Sequence, residues 1–205
     1  MGAAVRELLG GPIAQNIRSP NHFCWGNHAN MSILKIARMG HPVLLAKAGL
    51  VEDVSAPEIQ ALIAAMAETM FDAGGVGLAA PQVHVGLRLF VFRVPASRGE
   101  GLEIPLRAVV NPVITPNEAA GRELGWEGCL SIPGLRAAVP RWREVRLSGL
   151  DEDGKVFEEA LTGFAARVVQ HEADHLEGVL YPMRMEDFSR FGYNEELDRY
   201  PQELL

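Results

Sequence analysis

The sequence predicts an α+β chain, helices combined with several strands, and three observations predict it. Residues 55–72 and 162–176 carry apolar side chains at helical spacing. The text between them is rich in Leu, Val and Phe in runs of strand length. Within it, Asp151-Glu152-Asp153-Gly154 separates two such runs and reads as a hairpin turn.

Residues 1–31 differ from the rest of the chain: Asn, Gly, His and Ser are frequent and apolar periodicity is poor. No basic segment precedes an apolar core there, which argues against a secretory signal. Only two arginines are present, a weak basis for an organelle transit peptide, although organellar targeting is not excluded. The stretch reads as a poorly ordered N-terminal extension, and residues 32–205 as one globular domain. His22, Cys24 and His28 are the one metal-like group in the extension, and their spacing is unconvincing.

From Ser32 the chain becomes globular. Ile33, Leu34, Ile36 and Val43 to Leu45 form an apolar segment broken by Gly40 and Pro42. Ser55 and Glu58 have capping-box spacing, with Pro57 in the first turn, where it is tolerated. Ile59, Leu62, Ile63, Met66, Met70 and Phe71 continue the helix to Asp72, and the methionines read as core. Gly74-Gly75 ends it. The segment Gly75 to Gln82 packs small residues densely, so the backbone can approach another group, and Gly75 and Gly77 can take positive φ; it reads either as a tight connector capped by Gln82 or as a substrate-binding wall with the Gln82 amide aimed into a cleft. Strands follow over Leu87–Val94, Leu106–Ile114 with a bend at Asn111-Pro112, Val139–Leu150 and Val156–Leu161. A helix then begins at Thr162-Gly163 and stops at Gly178. The tail after Pro182 is polar and aromatic without a clear pattern.

Composition narrows the function classes. At 205 residues the chain suits one domain with a real core, and its net charge of −7 includes no basic stretch suited to nucleic acid. No apolar run approaches a membrane span. Two cysteines are too few for a disulfide framework and fit a reducing compartment.

The chemistry concentrates in His171-Glu172-Ala173-Asp174-His175. Histidines four apart share one helix face and can hold one divalent metal, while Glu172 between them can reach a water beside it. A catalytic site of this kind uses three protein ligands. Metzincin spacing would place the third at 181, which is Tyr181 and fails. Thermolysin-like spacing points to Glu195, and the remaining candidate is Cys129 in Glu127-Gly128-Cys129-Leu130-Ser131.

A Gly-rich segment ending in Gln82, then Glu127 to Ser131, then His171 to His175 in that order resembles the peptide deformylase family from about Ser32 to Tyr181. The resemblance implies mixed or antiparallel sheets wrapped around the helix that carries both histidines. It implies hydrolysis of the N-formyl group from the formylmethionine of nascent polypeptides, releasing formate. Cys129, His171 and His175 would then be the metal ligands, with Fe2+ in the cell and Zn2+, Ni2+ or Co2+ able to substitute. Glu172 would be the general base and acid, and Gln82 and the Leu130 N–H would stabilise the oxyanion. Gly77 would bind peptide backbone, and Val76 and Phe164 would line the methionine pocket. Asp174 faces away from the metal and reads as structural, with Arg141 as a partner; Trp126 and Arg136 read as rim. The partners implied are formyl-methionyl nascent peptides and a transient ribosome encounter, with no specific nucleic acid and no membrane. The implied location is the bacterial cytoplasm. A thermolysin-like peptidase using His171, His175 and Glu195 is the alternative.

Overall fold

The computed structural model describes residues 33–99 and 103–204. The expectations for residues 1–31, including His22, Cys24 and His28, lie outside the described residues. The chain enters through a 3-10 turn at Pro42–Leu45 and reaches helix α1, Pro57–Asp72. The expected capping box is absent. Ala56 is the N-cap and offers no side-chain cap. Ser55 instead gives both its N–H and its hydroxyl to Asp53 Oδ1, at 2.9 and 2.6 Å, in a local Asx-type turn that competes with helix capping. At the other end Gly74, at φ 68°, takes the left-handed conformation. Gly75 and Gly77 do not, so the glycine at 77 answers a demand for room and not for conformation.

Strands β1 (Gly77–Ala79), β2 (Leu89–Val94) and β3 (Ile104–Pro116) come next. After β3 come β4 (Arg122–Cys129), β5 (Ile132–Trp142), β6 (Glu144–Leu150) and β7 (Val156–Thr162). Helix α2 spans Gly163–Leu176, and the chain ends with β8 (Phe191–Tyr193) and α3 (Asn194–Arg199). All strand pairs are antiparallel, in one sheet ordered β1-β2-β3-β6-β7 and another ordered β4-β5-β8.

The position of β2 explains its apolar run Leu89–Phe92. Leu89 and Val91 face α1 and pack with Met66, Met70 and Leu78. Phe90, Phe92 and Val94 face the opposite way, onto Val168, Val169 and Leu176 of α2. Both faces are covered, so neither tolerates polar alternation, and each fully buried side chain contributes about 1.5–3 kcal/mol. The smaller sheet covers the far side of α2, with Arg167 reaching the carbonyls of Val139 and Gly125. The helix that carries the histidines is therefore enclosed between two sheets.

One further sequence expectation needed revision, and two segments left unassigned take up structure. Val139–Leu150 is two strands in different sheets, because the chain crosses from one to the other at Arg143. Arg122–Cys129, glycine-bearing and unremarkable as a strand, pairs along its length with β5. The tail packs: β8 pairs with β5 and Leu197 is buried. The bend at Asn111-Pro112 is a bulge inside β3, where Asn111 at φ 51° exchanges side-chain hydrogen bonds with the Val51 backbone. No described helix is long and apolar enough to cross a membrane.

Candidate metal centre and cleft

Two elements converge on one point. Helix α2 presents His171 and His175 one turn apart, with ring centroids 5.0 Å from each other. The β4–β5 hairpin closes with Cys129 paired to Ile132, so Leu130 and Ser131 form its tip and Cys129 stands at its base. Sγ of Cys129 lies 3.4 Å from His175 Nε2, and the ligand atoms of Cys129, His171 and His175 all fall within 4.8 Å of one another. With metal–sulfur and metal–nitrogen bonds of about 2.3 and 2.0 Å, tetrahedral coordination needs a sulfur–nitrogen edge of about 3.5 Å. The donor set fits a divalent metal of borderline softness.

The surroundings orient these donors. His171 Nδ1 lies 2.9 Å from Glu127 Oε2, so its N–H is engaged there and Nε2 is left for a metal. Burial disfavours a charged His171, yet the hydrogen bonds and charges of Cys129 and Glu127 hold its pKa well above the usual imidazole value. Burial, with His171 and Arg141 nearby, pushes His175 well below that value. Glu127 is buried, which by itself would raise its pKa. Its hydrogen bonds with Arg141 and His171 dominate and hold it well below the usual carboxylate range. Arg141 Nε and Nη2 donate to its two oxygens at 2.8 and 3.0 Å, and Arg167 Nη1 adds another bond at 3.0 Å.

Arg141 continues to Asp174 Oδ2 at 2.6 Å, as the sequence suggested, and Arg184 clamps the same carboxylate at 3.1 and 2.7 Å. Asp174 thus anchors the back of α2. Room for Arg167 comes from Gly125, where a Cβ would stand 2.5 Å from the guanidinium carbon. Glu123, Gly125, Glu127 and Cys129 alternate along β4 and share the face turned to α2.

Glu172 is 4 % exposed, and its Oε2 has no hydrogen-bond partner. Burial is the main reason its pKa is pushed up to about 7. Gly77 lies against it: a Cβ at Gly77 would sit 2.2 Å from Glu172 Oε1. An open cleft of about 630 Å³ passes this point, lined by Val76, Gly77, Gln82, Trp126, Cys129, Leu130, Phe164, His171 and Glu172. The expected pocket and oxyanion residues therefore share one cavity. Gln82 is held at both ends, its Oε1 by the Ala79 N–H at 2.9 Å and its Nε2 by Ser131 Oγ at 3.1 Å and Cys129 Sγ at 3.4 Å. Arg136 stacks on Trp126 at 5.5 Å and pairs with Asp198.

The alternative third ligand falls away. Glu195 is exposed on α3 and takes no part in the cluster formed among the described residues, which leaves the thermolysin-like reading without support. Tyr181 is buried beside His171, with nearly parallel rings 6.1 Å apart, and serves packing. Sequence reasoning assigned no role to Glu127, Arg167 or Ser131. The available signal was the Glu-x-Gly-x-Glu alternation of β4, which leaves space on one face for a buried cation.

A family model described as Polypeptide deformylase matches residues 33–191. Peptide deformylase 1 of Nitrosomonas europaea is 45 % identical over 167 residues, 80 % of this chain and 94 % of that protein. Peptide deformylase 2 of Bordetella bronchiseptica is 50 % identical over 168 residues, 79 % of this chain and 93 % of that protein. Among solved structures, a class I type b peptide deformylase from Acinetobacter baumannii with Met-Ala-Ser bound has a TM-score of 0.70 at 35 % identity, covering 76 % of this chain and 100 % of that one. A peptide deformylase from Synechococcus elongatus in complex with actinonin has a TM-score of 0.71 at 34 % identity, covering 94 % and 97 %. With the Cys-His-His donor cluster, the enclosed helix and these relatives in agreement, the chain belongs to the polypeptide deformylase family, metal-dependent hydrolases that remove the N-formyl group from nascent polypeptides.

Proposed function

We propose that Cys129, His171 and His175 hold the catalytic metal and that Glu172 carries the protons of formyl hydrolysis. The observation that carries this reading is the buried, unpartnered carboxylate oxygen of Glu172 beside a three-donor cluster. A divalent ion held there supplies Lewis acidity and makes a neighbouring water more acidic. Glu172, with its pKa near neutrality, takes a proton from the attacking water and passes it to the leaving amine. The Gln82 Nε2 and the Leu130 N–H donate hydrogen bonds to the formyl oxygen as negative charge develops on it. Gly77 on β1 meets the peptide backbone as an added strand, and Val76 and Phe164 accept the methionine side chain.

The resident ion in this reading is Fe2+, with Zn2+, Ni2+ or Co2+ able to replace it, since a thiolate and two imidazoles accept all four. The substrate is a formyl-methionyl nascent chain met near the ribosome in the bacterial cytoplasm. Residues 1–31 are an extension ahead of a catalytic domain spanning 32–205.

The test is formate release from formyl-Met-Ala-Ser by the metal-replete protein and its Glu172→Gln variant. The variant should keep its metal and lose about 10²–10⁴-fold in kcat. Near-normal kcat with full metal content would remove Glu172 from the role.

A further inference from the structure

The amide of Gln82 has no freedom to choose its orientation. Oε1 accepts the Ala79 N–H, which places nitrogen at the other end. One Nε2 contact is the Ser131 hydroxyl at 3.1 Å; the other is Cys129 Sγ at 3.4 Å. These partners are unequal. Sulfur accepts hydrogen bonds weakly, so an oxygen gaining negative charge beside Cys129 takes over that N–H readily. The hydroxyl is the anchor that stays.

Ser131 is itself immobilised. It is 1 % exposed, its N–H donates to Cys129 Sγ at 3.4 Å, and its carbonyl accepts the Met39 N–H at 2.9 Å. Gln82 is 2 % exposed, which leaves water little access as a substitute for the hydroxyl. The terminal torsion of a glutamine is soft, so the anchor sets where the N–H points.

We propose that Ser131 is a positioning residue whose hydroxyl holds the Gln82 amide so that one N–H faces the ligand cluster. Ser131 acts through Gln82 and touches no reacting atom. The inference rests on the deformylase reading of Gln82 and adds to it the group that aims the oxyanion donor.

A double-mutant cycle tests it, with zinc-loaded wild type, Ser131→Ala, Gln82→Ala and the double variant assayed on formyl-Met-Ala-Ser. Ser131→Ala should lose about tenfold in kcat, with KM little changed and metal content and Tm retained. The double variant should be no slower than Gln82→Ala alone, because the hydroxyl has nothing left to aim. A second readout is independent of turnover. The Gln82 side-chain NH2 signals in the nitrogen-15 spectrum, assigned by their loss in Gln82→Ala, should exchange with solvent slowly in wild type and much faster in Ser131→Ala. If Ser131→Ala loses metal or fold, Ser131→Cys keeps the volume with a poor acceptor and passes through the same cycle. Losses that multiply in the double variant, or unchanged amide exchange, overturn the proposal while leaving the family reading intact. A wild-type protein that releases no formate overturns both.

Discussion

Cys129 and Glu195 stand in opposite environments. Cys129 is fixed at the base of a hairpin 3.4 Å from a histidine nitrogen, whereas Glu195 is exposed on a short terminal helix. Cys129→Ser should therefore lose most bound metal by elemental analysis, and Glu195→Gln should retain it. Gly77 makes a different demand. Its backbone is not left-handed, so glycine is needed for room: the missing Cβ is replaced by the Glu172 carboxylate. Gly77→Ala should displace that carboxylate and reduce kcat/KM by about 10²-fold at normal metal content, since small misplacements of reacting groups are this costly. Gly86→Ala, with nothing within 4 Å of the added methyl, is the control. Equal losses in the two variants would show that the Glu172 contact is irrelevant.

Helix α2 combines a chemical face with a face locked by charge. Arg141 bridges Glu127 on β4 and Asp174 on α2, and all three are buried. Removing the arginine strands two carboxylates, one of which orients His171. Arg141→Met should cost about 3–5 kcal/mol, read as a lower denaturant midpoint, because breaking a buried pair leaves charge uncompensated. A shift below about 1 kcal/mol would mean that Arg167 and Arg184 satisfy the carboxylates alone. The pattern around α2 also shows the limit of local signals. Phe164, Val168, Val169 and Leu176 announce a buried helix, but nothing in its own periodicity says that Arg167 and Gln170 are buried too. Their partners are backbone groups of β4 and β5, distant in sequence.

Across the molecule, the proposed metal would join two separately packed parts. Its ligands come from the hairpin of the three-stranded sheet and from the helix buried against the five-stranded one. An ion that binds only the folded chain stabilises it by mass action, about 4 kcal/mol at a thousandfold excess over Kd. Stripping it with a chelator should lower Tm by on the order of 10 °C for a chain of this size, and adding zinc back should restore it. An unchanged Tm would mean that no ion bridges these parts.

The sequence by itself determined the helix with its two histidines, the third-ligand candidates, the family resemblance and the apolar cores of α1, β2 and β3. Each is written in local spacing or in motif order. It could not separate β5 from β6, because a strand's text does not name its partner and the sheet change at Arg143 leaves the run of β-forming residues intact. The helix cap at Ser55 was misread because Asp53, two residues away, is an equally good local acceptor. Only the tertiary structure brought Cys129 and not Glu195 beside the two histidines, brought Glu127 to His171, placed Gly77 against Glu172 and set Gln82 against Ser131. All four are contacts between segments far apart in the chain, where packing and the need to satisfy buried polar groups decide the outcome.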